Sequence, residues 1–210
     1  FAPATAAATF TVVNTSSMII RWLANGNAVN VTTYTVVLTT GATYPNSFAG
    51  NVPLSTAPAG ALPMATVTGL GVNTTYYLFV NAINRSGLST AFTALGATAT
   101  LASPPATAAS TFTAVGAGSM SVAWSTNGNP VDVTSYTVVL TTGFSYPNAF
   151  SGNVQLSTVA RSALPTATVT GLLSNSTYQL FIAAVNHGGT FSAYTPLCST
   201  ATSSSPPATA

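Results

Sequence analysis

The sequence predicts an all-β chain made of two tandem, seven-stranded β-sandwiches. Three observations lead there. Residues 66–84 read as strand, tight turn, strand, and the pattern recurs at residues 168–186. The offset is 178 − 76 = 102 residues between Tyr76 and Tyr178, and Trp22 and Trp124 repeat it. Second, short runs rich in Val, Ile, Thr and Tyr alternate in polarity with a period of two, and Gly, Asn and Pro separate them. Third, no segment sustains a helical period. Copies of this length fit the usual domain size, and each can bury its own core. The repeated Pro-Ala-Thr-Ala segments divide the chain into residues 1–102 and residues 103–210, the second with a C-terminal linker.

Taken in order, the first copy opens with an alternating run in which Phe10 and Val12 are expected on one face. A turn at Asn14-Thr15-Ser16 leads to Met18, Ile20 and Trp22, again on one face. The loop Ala24-Asn25-Gly26-Asn27 suits positive φ, which Asn and Gly tolerate. Residues 31–40 form a β-branched strand with Tyr34, Val36 and Leu38 inward. An irregular section from Gly41 to Pro63 leaves room for one short edge strand over residues 48–54. Residues 66–70 and 75–84 supply the next two strands, Gly87 turns the chain, and residues 92–100 close the copy. The second copy follows the same course, with Met120, Val122, Trp124, Tyr136, Val138, Leu140, Tyr178, Leu180 and Ile182 at the matching positions.

These residues together resemble the fibronectin type III domain. The resemblance rests on Trp22 in the second strand and Tyr34-Thr35-Val36 in the third. It rests also on Val67-Thr68-Gly69-Leu70 with Asn73-Thr74-Thr75-Tyr76, and on Ala82-Ile83-Asn84 followed by Gly87-Leu88-Ser89. It implies an immunoglobulin-like sandwich and a fragment of an extracellular repeat array. It also implies that Tyr76 and Tyr178 form a tyrosine corner, the hydroxyl bonding back to the backbone to pin the loop. The section between the third and fifth strands is longer than the family's usual connection, so the edge strand's position stays open.

Composition excludes several functions. Only 2% of the residues are charged, and the net charge of +2 rests on Arg21, Arg85, Arg161 and Asp132. There is no basic surface for nucleic acid. Apolar runs are too short and too often broken by Thr, Asn and Gly to span a membrane. The single Cys198 has Gly96 as its counterpart in the other copy, so the copies share no disulfide framework. Paired-carboxylate catalysis needs two acids, and the chain has one. A hydrolytic triad can be drawn on Asp132 and His187, whose loops share a pole in the type III fold. The first copy carries Asn30 and Arg85 there, and solvated loop residues account for both positions. No catalytic residue, metal site or cofactor is expected.

Two kinds of candidate site remain. Asn-x-Ser/Thr sequons at Asn14, Asn30, Asn73, Asn84 and Asn175 fall in predicted turns or strand ends, as glycan carriers do. Their number is what this composition yields by chance, so only their placement informs. If Tyr34, Val36 and Leu38 face inward, then Val37 faces outward, with Tyr77 and Phe79 beside it. The second copy repeats this with Val139, Phe181 and Val185. These six residues form an expected apolar assembly surface.

A chain that begins at Phe1 and carries the same linker at its start, middle and end reads as a processed chain or a piece of a longer array. The expected function is that of a structural module of an extracellular fibre, sheath or adhesin at or outside the cell surface. Uncharged surfaces rich in Thr and apolar residues would be buried by self-association or by neighbouring repeats, or coated with glycans. The alternatives are a carbohydrate-binding or spacer module of a secreted carbohydrate-active enzyme, with Tyr44, Tyr77 or Tyr146 stacking on sugar, and a viral tail or capsid decoration domain.

Overall fold

The computed structural model describes residues 1–28, 31–42, 52–57, 63–142, 154–159 and 165–207, with backbone alone for 52–57 and 154–159. The chain divides into two compact units, Phe1–Leu101 and Ala102–Ala210. Ala102 belongs with the second because it is buried in that unit's core.

Among the described residues, seven strands build the first unit: β1 (Ala4–Val13), β2 (Ser17–Leu23), β3 (Thr33–Thr39), β4 (Val52–Ala57), β5 (Met64–Thr68), β6 (Thr75–Ile83) and β7 (Thr93–Ala99). Seven more build the second: β8 (Ala106–Val115), β9 (Ser119–Ser125), β10 (Ser135–Thr141), β11 (Val154–Val159), β12 (Thr166–Thr170), β13 (Thr177–Val185) and β14 (Thr195–Ala201). The sheets are β1-β2-β5 and β4-β3-β6-β7, then β8-β9-β12 and β11-β10-β13-β14, each ladder antiparallel. The strand–turn–strand stretch at residues 66–84 is therefore not a paired hairpin. Its first strand pairs with β2 and its second with β3 and β7, so the turn carries the chain from one sheet to the other. The edge strand expected over residues 48–54 is found further along the chain, as β4 over Val52–Ala57, and shares residues 52–54 with the expectation; residues 48–51 lie outside the described residues.

Alternation places the core. Met18, Ile20 and Trp22 from one sheet meet Tyr34, Val36, Leu38, Leu78 and Val80 from the other, all buried. Trp22 stands edge-on to Tyr34 at 5.4 Å between ring centroids and 70° between planes. The second unit repeats the pair as Trp124 and Tyr136 at 5.3 Å and 65°. The edge-to-face arrangement puts the positive rim of one ring against the negative face of the other.

The first strand departs from simple alternation. Thr5 pairs with Trp22 and Phe10 with Ile20, so three extra residues accumulate in β1 across a span of two in β2. A second shift follows between Phe10 and Val12. A bulge changes which residue faces inward. Phe10 and Val13 consequently pack on the core while Val12 is 42% exposed, against the expectation that Phe10 and Val12 share a face.

The tyrosine corners form as the resemblance implies. Gly71 N–H donates to the Tyr76 hydroxyl at 2.9 Å, and Leu173 N–H to the Tyr178 hydroxyl at 2.9 Å. A buried threonine on the far side of each loop completes the brace. Thr100 Oγ1 donates to Gly71 O at 2.6 Å and accepts from Thr74 N–H at 2.9 Å. Thr202 does the same with Leu173 O at 2.6 Å and Ser176 N–H at 2.9 Å. Tyr178→Phe leaves the Leu173 amide without this acceptor, and the second unit should lose about 1–2 kcal/mol of unfolding free energy. Urea denaturation reads this directly, and an unchanged midpoint would refute the bracing role.

Candidate functional site

The outward row of the four-stranded sheets does not form the open apolar stripe expected. Val37, Phe79, Val139 and Phe181 are all 5% exposed or less. Val37 stands directly across from Phe79 and Val139 from Phe181, so each pair shields itself in part. The chain itself covers the rest. Asn81 in the same row is also buried. Tyr77 and Val185 alone of the six remain half-buried rather than buried. A β-strand can be apolar on both faces because both faces are covered, and these strands are of that kind.

The sequons separate by burial. Asn14, Asn84 and Asn175 are exposed. Asn73 is 2% exposed, in a left-handed conformation with φ of 44°, and its N–H donates to Leu101 O at 3.2 Å. A glycan there would have to displace the loop, so Asn73 is withdrawn as an acceptor. Asn30 lies outside the described residues, as do Tyr44 and Tyr146. The Asn84 side chain is itself structural. Its Oδ1 accepts the N–H groups of Ser86 and Leu88 at 2.9 Å each, closing the turn after β6.

The residues that sequence reasoning passed over sit at one pole of each unit, where the linker arrives. Asn25 and Gly26 have φ of 53° and 80°, and Asn27 N–H donates to Ala24 O at 3.1 Å, which is a type I′ turn. Asn127, Gly128 and Asn129 repeat it, with φ of 51° and 80° and a 3.1 Å bond to Thr126 O. The turn aims two asparagines at the incoming chain. Ser103 N–H donates to Asn129 Oδ1 at 2.7 Å, and Asn129 Nδ2 donates to Ser103 O at 2.8 Å and Thr126 O at 2.7 Å. Asn127 Nδ2 donates to Pro104 O at 2.8 Å. In the first unit Asn27 holds Phe1 and Asn25 holds Ala2 by the same contacts. Each clamp binds backbone, so it accepts any linker residue that reaches it. The sequence signal was there: Asn-Gly-Asn occurs in both copies, 26 residues beyond equivalent linker positions.

Residues 103–197 match the family model described as Fibronectin type III domain. A two fibronectin type-III domain segment from chicken tenascin superposes with a TM-score of 0.57 at 16% identity, over 96% of this chain and 100% of that one. The chain is a tandem of fibronectin type III folds. The central fibronectin-III array of RIM-binding protein also aligns, with a TM-score of 0.34 and 16% identity, over 97% of this chain and 69% of that one. No curated protein matches.

The two type III modules carry little chemistry in their side chains. Asp132 and His187 are both exposed on loops, and Cys198 is a half-buried free thiol on β14. Among the described residues no three of His, Cys, Asp and Glu gather into a metal-binding group. Among the described residues no helix is long and apolar enough to cross a membrane.

Burial pushes the Tyr34 hydroxyl up from its ordinary value, and a hydrogen bond from the Asn27 side chain partly offsets this. Burial likewise pushes up Tyr136. There Asn129 tempers the shift only weakly, because its polar atoms serve Ser103 and Thr126 and the Tyr136 hydroxyl has no hydrogen bond among the described residues. A phenol whose folded value lies above the unfolded one favours the fold fully below about pH 10, and that contribution is lost as pH rises through the folded value. The melting temperature should therefore fall as pH rises above about pH 10. A melting temperature that holds through that range in a thermal-melt series would contradict this.

Proposed function

We propose that this tandem repeat module is a structural unit of an extracellular fibre, sheath or adhesin, and that it assembles with copies of itself or neighbouring repeats through uncharged surfaces. One observation carries the reading. Among the described strands each sheet ends in two edge strands, and none of the eight, β1, β4, β5, β7, β8, β11, β12 and β14, contains a charged residue. Edge strands present unpaired N–H and C=O groups, and proteins that must stay monomeric commonly guard them with charge. Pro53 in β4 and Pro196 in β14 interrupt donors on two edges. The remaining edges are rich in Thr, Ala and Val, which suit close packing against another subunit. The clamped linkers fit the same role, since they tie each module to the segment before it. Glycans at Asn14, Asn84 and Asn175 would cover turns and leave the edges clear.

Sedimentation of the unglycosylated chain over a concentration series, with negative-stain imaging of the same samples, tests the proposal. The expected result is ordered association. A stable monomer at high concentration overturns it. Thr66→Lys places a charge at an exposed position of edge strand β5 and should weaken association without unfolding the module.

A further inference from the structure

Four charged side chains serve the whole sequence, and two of them differ between the copies in a complementary way. Arg21 lies on β2 of the first unit, and the second unit has Ala123 there. Asp132 lies on a loop of the second unit, and the first has Asn30 there. Each is therefore dispensable to the fold, because the other copy folds without it.

Arg21 lines a groove of about 290 Å³ beneath the bulged part of β1. Ala6, Ala7 and Ala8 line one side, where β1 leaves the ladder, and Trp22 and Leu23 line the other. Among the described residues the groove's lining is apolar apart from Thr11 and the guanidinium. Arg21 Nε is shielded from solvent and has no hydrogen-bond partner among the described residues. A charged donor left so is costly, and the half-buried guanidinium pairs best with a carboxylate. Leu23 is 42% exposed at the rim, and the second copy carries Ser125 at the matching position.

The matching feature is the turn at Val131-Asp132-Val133. Thr134 Oγ1 donates to Pro130 O at 2.7 Å and Thr134 N–H to the same oxygen at 3.3 Å, which fixes the turn. Asp132 is exposed between valines, and Val131 is 36% exposed. An acid flanked by apolar side chains complements an apolar groove with one cation.

We infer that the β1 bulge groove around Arg21 receives the Asp132 turn of a second copy of this chain. The groove is on the first unit and the turn on the second, so the contact is head-to-tail. Such heterologous contacts extend into filaments or close into rings. This inference rests on the assembly reading above and names the contact that gives the assembly its direction.

The test uses two variants that copy the other module's own residue, Arg21→Ala and Asp132→Asn. At a concentration where the parent chain assembles, each variant alone should stay monomeric, its critical concentration raised about tenfold or more. An equimolar mixture should form a 1:1 complex that grows no further, since one partner keeps the groove and the other the turn. Added salt should weaken the parent's assembly. If either variant assembles as the parent does, or the mixture stays monomeric, the contact is wrong while the module reading stands. If the parent itself stays monomeric, both fall.

Discussion

Trp124→Ala should cost the second unit about 3–5 kcal/mol of unfolding free energy, and Trp22→Ala the same in the first. Both indoles are essentially fully buried. Truncation removes a large apolar side chain from water exclusion, leaves a cavity, and abolishes the edge-to-face contact with Tyr136 or Tyr34. The buried indole N–H groups of both tryptophans lack hydrogen-bond partners among the described residues. A little of the loss is therefore returned when the unsatisfied donor disappears, which places the expected value toward the lower end of the range. Because each unit has its own core, the effect should stay in the unit mutated. Denaturation curves of the full chain should separate into two transitions, one shifted and one unchanged. A single transition shifted as a whole would show that the two cores unfold together. A loss below about 1 kcal/mol would show that the tryptophan is not the centre of the core.

Asn129→Ala is the second large effect. The side chain is 4% exposed and makes three bonds to backbone. Its removal strands the Ser103 N–H and the Ser103 carbonyl oxygen in a part-buried pole, while Thr126 O keeps the backbone N–H of residue 129, and such groups cost about 1–3 kcal/mol when left unpaired. The loss should come with a functional signature that a core mutation lacks. Ser103 is in the linker, so limited proteolysis should cut around residues 103–105 faster in the variant while the β9 and β13 cores remain protected. Asn127→Ala, which removes one exposed bond to Pro104 O, serves as the milder comparison. Equal proteolysis of the parent and Asn129→Ala would show that the clamp does not hold the linker.

Much of the fold is legible in the residues. A period of two states which side chains share a face, and Met18, Ile20 and Trp22 across from Tyr34, Val36 and Leu38 can be read without coordinates. The corner tyrosines can be read too, because the donor lies five residues before Tyr76 or Tyr178 and the geometry is local. The candidate site was harder. Period two says that Phe79 lies opposite Leu78 in facing, but it is silent on whether the second face is covered. Phe79 and Phe181 are buried, and the surface assigned to them is not available. The same silence applies to Asn73, which has a sequon, sits in a turn and is nonetheless buried.

The sequence by itself determined the duplication, the sandwich class, the composition of each core and the scarcity of charge. These are properties of spacing and residue type, and they act over a few neighbours. Only the tertiary structure decided the bulge in β1 that turns Val12 outward, the asparagine clamps that reach 26 residues back to the linker, and the groove that surrounds Arg21. Those depend on which distant segments pack together, and burial and long-range hydrogen bonds are quantities that exist only once the two sheets have closed on each other.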